Sequence, residues 1–507
     1  MSHGPTTLVS APGKVLIAGG YLVLDPKYSG LVVSTSSRFY TAIKPASAAD
    51  SASEKKIVVH SPQFQGAEWT YDVAVNGTTV EVNPSDDGTG SRNRFVQVAL
   101  EGTLAIALEI RGPNAFSSSL GAGLDIYVLG ANDFYSQRAS LEARNLPPTL
   151  ESLASIPPFL PQGVPLSKVH KTGLGSSASL ITSLVSALLL HFEAIPSDSL
   201  SEGCEDPAGR QLAHNVAQYV HCLAQGKVGS GFDVCAAAFG SHLYKRFDPG
   251  VIAGIMQGKP TGATLLSTLS PSNKAWDYHV GTFGLPYLTR IILADVDSGS
   301  DTPSMVGNVL AWRKAEPGIA NQLWEGLHRC NTGLGDIILR LREKYETDPT
   351  EYASTVDRLA REAGEDWERH SPIDSLEVTT AQLFGTTRHL TKSIRDGMRA
   401  VGKSSGVPIE PPEQTQLLDA CYALPGVVGG GVPGAGGYDA IWLLVLQPQD
   451  SVLATSIVAK VEQLWQNWTG LRVSPLLATE SLLRGASKEY IKDVPGLDAA
   501  LNGAVQS

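Results

Sequence analysis

Cysteine is scarce in this 507-residue chain: Cys204, Cys222, Cys235, Cys330 and Cys421 are odd in number and form no CxxC pair. That scatter excludes a disulfide framework and fits a reducing compartment. No apolar run approaches the roughly 20 residues needed to span a bilayer. The longest, near 180–190 and 441–446, are short or broken by Ser and Thr. The opening MSHGPTTLVSAPGK lacks the basic and apolar regions of a secretory signal. The 11 histidines include no HExxH and no Cys/His zinc spacing, and there is no Gly-x-Ser-x-Gly elbow, so zinc chemistry and elbow-type hydrolysis find no support. Cations are short too. The 39 Lys+Arg against 50 Asp+Glu leave a net charge of −11, which argues against a general nucleic-acid binder while leaving room for a local anion pocket. The expectation is a cytoplasmic protein without nucleic-acid or membrane partners.

Glycine is abundant, at 51 residues against a usual share of about 7%. Much of it falls in clusters at 13–20, 173–175, 226–231 and 429–437, beside apolar runs. Glycine there permits tight turns and close backbone approach by a ligand, so four clusters suggest one site assembled from distant segments. With 42% hydrophobic residues the chain has ample core material, and its length predicts two or three lobes.

Val15–Ala18, Tyr21–Leu24 and Leu31–Val33 read as strands around a Gly19-Gly20 turn. Residues 44–56 and 84–93 read as loops, and 145–165, rich in proline, as an exposed excursion. Leu180, Ile181, Leu184, Val185, Leu188 and Leu189 have the spacing of a buried helix. Beyond about 245 the texture changes: a strand at Arg290–Ala294 precedes helical stretches at 303–347, 350–365 and 374–402. A helix over Glu413–Ala423, a strand at Ala440–Leu446 and a helix near 451–467 follow. Strands and helices mix without regular βαβ alternation, which favours an α+β fold, divided near residue 245 into 1–245 and 246–507.

Four segments carry candidate chemistry. Lys171 to Ala178 is a glycine loop running into the 180s helix. Such a junction aims free backbone amides and the helix dipole at one point, an anion site, or else it is a serine-capped helix after a turn. It lacks the Lys of a Walker loop. Its Gly-x-Gly-x-x-Ala lettering lacks the strand and acidic partner of a dinucleotide fold. Lys14, at the start of a strand, is a solvated end or a fixed cation for a phosphate. Asp233, after the 226–231 glycines, is a helix cap or a carboxylate that orients a substrate hydroxyl. The 429–437 cluster is too costly in conformational entropy for a mere connector. His214 and His221, seven apart on a helix, read as ordinary residues.

APGKVLIAGGY (11–21), KTGLGSSAS (171–179) and GVPGAGGYDA (431–440) resemble, in order, the three motifs of the GHMP kinase superfamily. NDFYSQR, GKVGSGFD, SGSDTPSMVGNVLAWRK and GVPIEPPEQTQLLDA are similar to the eukaryotic, fungal-type phosphomevalonate kinases within it. The resemblance implies an N-terminal domain like ribosomal protein S5 domain 2, a ferredoxin-like C-terminal domain, and a site between them. It implies ATP and Mg2+ as cofactors and 5-phosphomevalonate as the acceptor. Carried over by position, Gly173, Leu174, Gly175, Ser176, Ser177 and Ala178 surround the ATP phosphates, and Ser177 contacts the metal. Lys14 and Asp233 match the catalytic pair. Lys171, Ser230 and Ala435 fall where relatives contact the phosphorylated substrate, and Asn132 where the adenine lies. Lys227, Arg313 and Lys403 are further candidates for substrate anions. Val432-Pro433 and Tyr438 depart from the motif, which commonly has serine and glycine there. The competing readings are a GHMP kinase for another acceptor, mevalonate first among them, and a silent ligand sensor on the same fold.

Overall fold

The computed structural model describes residues 6–46, 55–85, 92–296, 302–370, 378–483 and 485–503. Of the loops expected at 44–56 and 84–93, residues 47–54 and 86–91 lie outside them, as does the start of the 298–314 segment, whereas Lys44, Pro45, Lys55, Lys56 and Pro84 belong to strands.

Eight strands build most of the larger sheet: β1 (Thr7–Ala18), β2 (Ser29–Pro45), β3 (Lys55–His60), β4 (Glu68–Asn76), β5 (Thr79–Pro84), β6 (Gly123–Gly130), β7 (His242–Lys245) and β8 (His279–Thr282). β1 and β2 are buried along nearly their whole length. Unbroken burial means that both faces are covered, and it explains why the sequence shows apolar runs here instead of alternation. The helix Ser176–His191 packs against both strands, and the helices Arg94–Leu120 and Ala208–Gln225 pack against it in turn. β3 runs parallel to β6, whereas β1, β2 and β6 pair antiparallel.

A smaller antiparallel sheet is made by β9 (Thr289–Asp295), β10 (Val427–Gly431), β11 (Ala440–Leu446) and β12 (Ser474–Leu476), in the order β10-β11-β9-β12. With helices between β9 and β10 and the helix Ser451–Gln466 between β11 and β12, the chain runs βαββαβ, the ferredoxin-like pattern. The first crossover is enlarged by the long helices Pro317–Thr347 and Thr380–Ser405. The latter starts at a reciprocal capping box between Thr379 and Gln382. The chain then returns to the larger sheet. β13 (Ser487–Lys488) pairs with β1, while buried Arg38 and Arg210 donate to the carbonyls of Gly485 and Ala486 at 2.6 and 2.7 Å.

Two expectations need correction. Tyr21–Leu24 is part of a short 3-10 turn, Gly20–Leu24, because Gly19 and Gly20 take φ of +120° and +40° and turn the chain out of the sheet. The 145–165 excursion is anchored: it holds the helix Leu150–Ser155, and Phe159 and Leu160 are buried. As for the division at 245, β7 ends there but pairs onward with β8, so the larger sheet continues to Thr282.

Candidate active site

The pairing of β1 with β2 slips between Pro12 and Lys14, forming a bulge. Gly13 is required there by packing, since a Cβ would lie 2.7 Å from Thr35 Oγ1 and 2.9 Å from the Leu174 carbonyl oxygen. The bulge sets Lys14 against the 173–175 loop. Its amide donates to Leu174 O at 2.9 Å and its Nζ to Gly173 O at 2.8 Å. Gly175, at φ +82°, begins the helix Ser176–His191 without any side-chain cap. The first amides of that helix and the positive end of its dipole are therefore directed at the turn that Lys14 fastens. Behind the loop, the Thr172 hydroxyl donates to Asp133 O and Ser179 Oγ to Pro12 O.

Asp233 occupies the first turn of the helix Phe232–Phe239, where one carboxylate oxygen accepts from the Val234 amide at 3.0 Å. The loop before it is buckled by Arg246. That buried guanidinium donates to the carbonyls of Val228 and Gly229 at 3.1 and 2.6 Å, and to Leu24 O on the 3-10 turn. Arg246→Ala is expected to destabilise the protein by about 1 kcal/mol for each part-buried carbonyl that loses its donor. Thermal melts check this, and an unchanged melting temperature would contradict the buckle.

The 432–439 loop joins β10 to β11 and supplies the third wall. Gly437 N donates to Ile409 O at 2.8 Å, Gln414 Nε2 to Gly437 O at 2.6 Å, and Tyr21 OH to Ala435 O at 2.8 Å. Together these segments enclose a cleft of about 270 Å3, whose lining includes Lys14, Gly173, Gly175, Ser230, Asp233 and Asp439. Burial lowers the proton affinity of Lys14, and the charges of Asp233 and Asp439 oppose the shift. An ammonium facing two carboxylates, beside a helix N-terminus, is suited to receiving polyanions and to stabilising charge that develops between them.

The expected residues fall in different places. Ser230, Ala435 and Lys227 line the cleft. Leu174 and Ala178 are buried, while Ser176 and Ser177 are half-buried at the helix start. Lys171 is exposed on a bridge with Tyr135, outside the cleft lining. The Asn132 carboxamide donates to Pro157 O at 2.9 Å and accepts from Leu160 N at 2.8 Å, so it pins a loop. The Arg313 guanidinium pairs with Asp25 at 2.8 Å and lies over Trp324, tying the C-terminal helices to the 3-10 turn. Lys403 is exposed in the last turn of Thr380–Ser405, outside the cleft lining.

His221, an ordinary residue by the sequence reading, stands inside the site. Its Nε2 lies 3.1 Å from Ser177 Oγ and 3.0 Å from Gln225 Nε2, and its Nδ1 lies 3.9 Å from Asp233 Oδ2. Burial pushes it below the usual histidine range, against the pull of Asp233. Asp439 was also missed, although it sits within the third motif. His214, by contrast, is a core residue packed among Phe239, Trp276 and Tyr278, its pKa pushed down to about 4 by burial.

The two sheets with a cleft between them have the fold of the GHMP kinases. The Streptococcus pneumoniae phosphomevalonate kinase in complex with phosphomevalonate and AMPPNP superposes with a TM-score of 0.55 at 15% identity, covering 93% of this chain and 98% of that one. No family model matches the sequence. The peroxisomal phosphomevalonate kinase of Arabidopsis thaliana is 36% identical, over 93% of this chain and 94% of its own length. The phosphomevalonate kinase of Aspergillus fumigatus is 36% identical, over 91% and 90%. The chain belongs to the phosphomevalonate kinase family.

Proposed function

We propose that the cleft transfers the γ-phosphoryl group of ATP to the phosphate of (R)-5-phosphomevalonate, giving (R)-5-diphosphomevalonate and ADP in the mevalonate route to isoprenoids. An acceptor phosphate oxygen attacks the γ-phosphorus. The bond from that phosphorus to the β,γ-bridging oxygen breaks, and ADP leaves with the electron pair. The observation that carries the roles is the meeting of Lys14 with Asp233 and Asp439 in a cleft walled by glycine loops. In this reading the 173–178 loop and the start of its helix hold the ATP phosphates, with Lys14 neutralising charge between the two substrates. Asp233 orients the acceptor, and Ser230 and Ala435 line its pocket. Lys171 contacts the phosphorylated substrate from the rim, and Asn132 supports the adenine side by fixing the 157–160 loop.

Mg2+ dehydrates reluctantly and is bound largely through substrate phosphates. Among the described residues no cluster of three or more His, Cys, Asp or Glu side chains can hold a metal. The residues present therefore fit an ion brought in with the nucleotide, with Ser177 as the protein contact, where it would neutralise phosphate charge. The same reading places the domain division at the start of β9, because β8 is the last strand of the larger sheet before the smaller sheet begins. It also places the protein in the cytoplasm. No described helix is long and apolar enough to cross a membrane.

The test is ADP release with MgATP, offering 5-phosphomevalonate and mevalonate in parallel. Turnover with 5-phosphomevalonate alone is expected. Turnover with mevalonate alone would overturn the acceptor, and ATP binding without turnover would favour a sensor.

A further inference from the structure

His221 has no assigned part in the reaction, yet it touches one expected phosphate-loop residue and faces the expected catalytic carboxylate. It is 3% exposed, on the helix Ala208–Gln225. A carboxylate can only accept, so Asp233 favours a ring proton on the nitrogen that faces it and leaves His221 Nε2, beside Ser177 and the Gln225 carboxamide, as an acceptor. The ring proton is then on Nδ1, the nitrogen that faces Asp233 Oδ2 at 3.9 Å. With Nε2 unprotonated, the 3.1 Å contact to Ser177 has one sense: the serine hydroxyl donates and the imidazole accepts.

A hydroxyl has one proton and two lone pairs. If the proton of Ser177 turns back into the protein, only lone pairs remain toward the loop. If it is free, it can turn outward and donate to a phosphate oxygen. We propose that His221 is a positioning residue that fixes the Ser177 hydroxyl as an outward acceptor, favouring a nucleotide-borne cation over a bare phosphate. The inference rests on the reading of 173–178 as the ATP-phosphate loop. It gives this buried histidine a purpose that packing alone does not supply, since an apolar residue would fill the space without the polar contacts.

The two amide substitutions separate the two ends of the ring. His221→Gln keeps an acceptor near the Nε2 position, whereas His221→Asn keeps polarity near Nδ1 and withdraws the acceptor from Ser177. Calorimetric dissociation constants for ATP, with Mg2+ and with EDTA, define the preference for the magnesium complex. That preference is expected to fall about tenfold in His221→Asn, the worth of roughly one hydrogen bond. It should stay within about twofold of the parent in His221→Gln, in proteins whose melting temperatures show them folded. Equal preference in both variants, or an unchanged preference in His221→Asn, overturns the proposal.

Ser177→Ala supplies the same test from the other side, and independently of whether the histidine variants fold. It should lower the preference as far as His221→Asn does, and His221→Asn added to it should lower it no further. A further, additive loss overturns the coupling. If Ser177→Ala leaves ATP binding untouched in both conditions, the phosphate-loop reading itself fails. If it acts while His221→Asn does not, only the role of His221 fails.

Discussion

Lys14→Ala is expected to lower kcat by about 100- to 1,000-fold or more, the usual loss when a preorganised donor is removed from developing negative charge. The side chain is fixed before substrate arrives: its Nζ is fastened to Gly173 O and its backbone amide to Leu174 O. No reorganisation is needed at the moment of transfer. Asp233→Asn should lose less at neutral pH. The acceptor phosphate has a second pKa near 6, so it is already largely a dianion and needs no base to remove a proton. Single-turnover rates decide the ranking, and a greater loss in Asp233→Asn would reverse the assignment. A pH profile adds a second check. Burial holds the Lys14 ammonium below its ordinary value of 10.5, so kcat/KM should decline on the alkaline side earlier than an exposed lysine would dictate. That decline should be absent in any residual activity of Lys14→Arg, because arginine stays charged there.

Gly436→Ala should be the most damaging single methyl in the third loop. Gly436 has φ +77°, and a Cβ there would sit 2.1 Å from the Ile409 carbonyl oxygen. That oxygen cannot move aside freely, because it accepts from Gly437 N at 2.8 Å. The loop and the 409 segment must part, carrying Ala435 away from Tyr21. Gly434 is the comparison. Its φ is +65°, but nothing lies within 4 Å of the added methyl, so Gly434→Ala bears only the left-handed backbone cost of roughly 1–2 kcal/mol. Thermal melts of the pair, with KM for the acceptor, should show a much larger loss of stability and affinity at Gly436. Equal effects would mean that the Ile409 contact is unimportant.

The parts of the site legible in the sequence were those whose chemistry is local. Lys14, the 173–178 loop and Asp233 lie beside glycines, and glycine at a strand–helix junction signals a turn in the one-dimensional string. The helices at 180–189 and 413–423 and the strand at 440–446 likewise follow from short-range apolar spacing. What escaped depends on distant partners. β8 has no strong apolar signal and takes its place in the sheet by pairing with β7. The Tyr21–Leu24 run has strand composition, yet two left-handed glycines override it. Arg246 and His221 carry no motif at all. Their roles come from carbonyls and side chains that folding gathers from loops elsewhere. Arg313 shows the converse, a cation whose charge is already answered by Asp25.

The return of the chain to β1 has a consequence for synthesis. Strand β1, which bears Lys14, has β2 on one side and the Ser487–Lys488 strand on the other, and Arg38 and Arg210 wait for the carbonyls at 485 and 486. Domains commonly fold as units while still on the ribosome, N-terminal first. Here β1, made before the other described strands, is among the last to gain its final neighbour. A nascent chain ending before residue 485 would carry an open β-edge and two buried guanidiniums short of partners, a state prone to pairing with other chains. Completion of the larger sheet thereby waits until residues 485–488 have been made, and a chaperone matters most before that point.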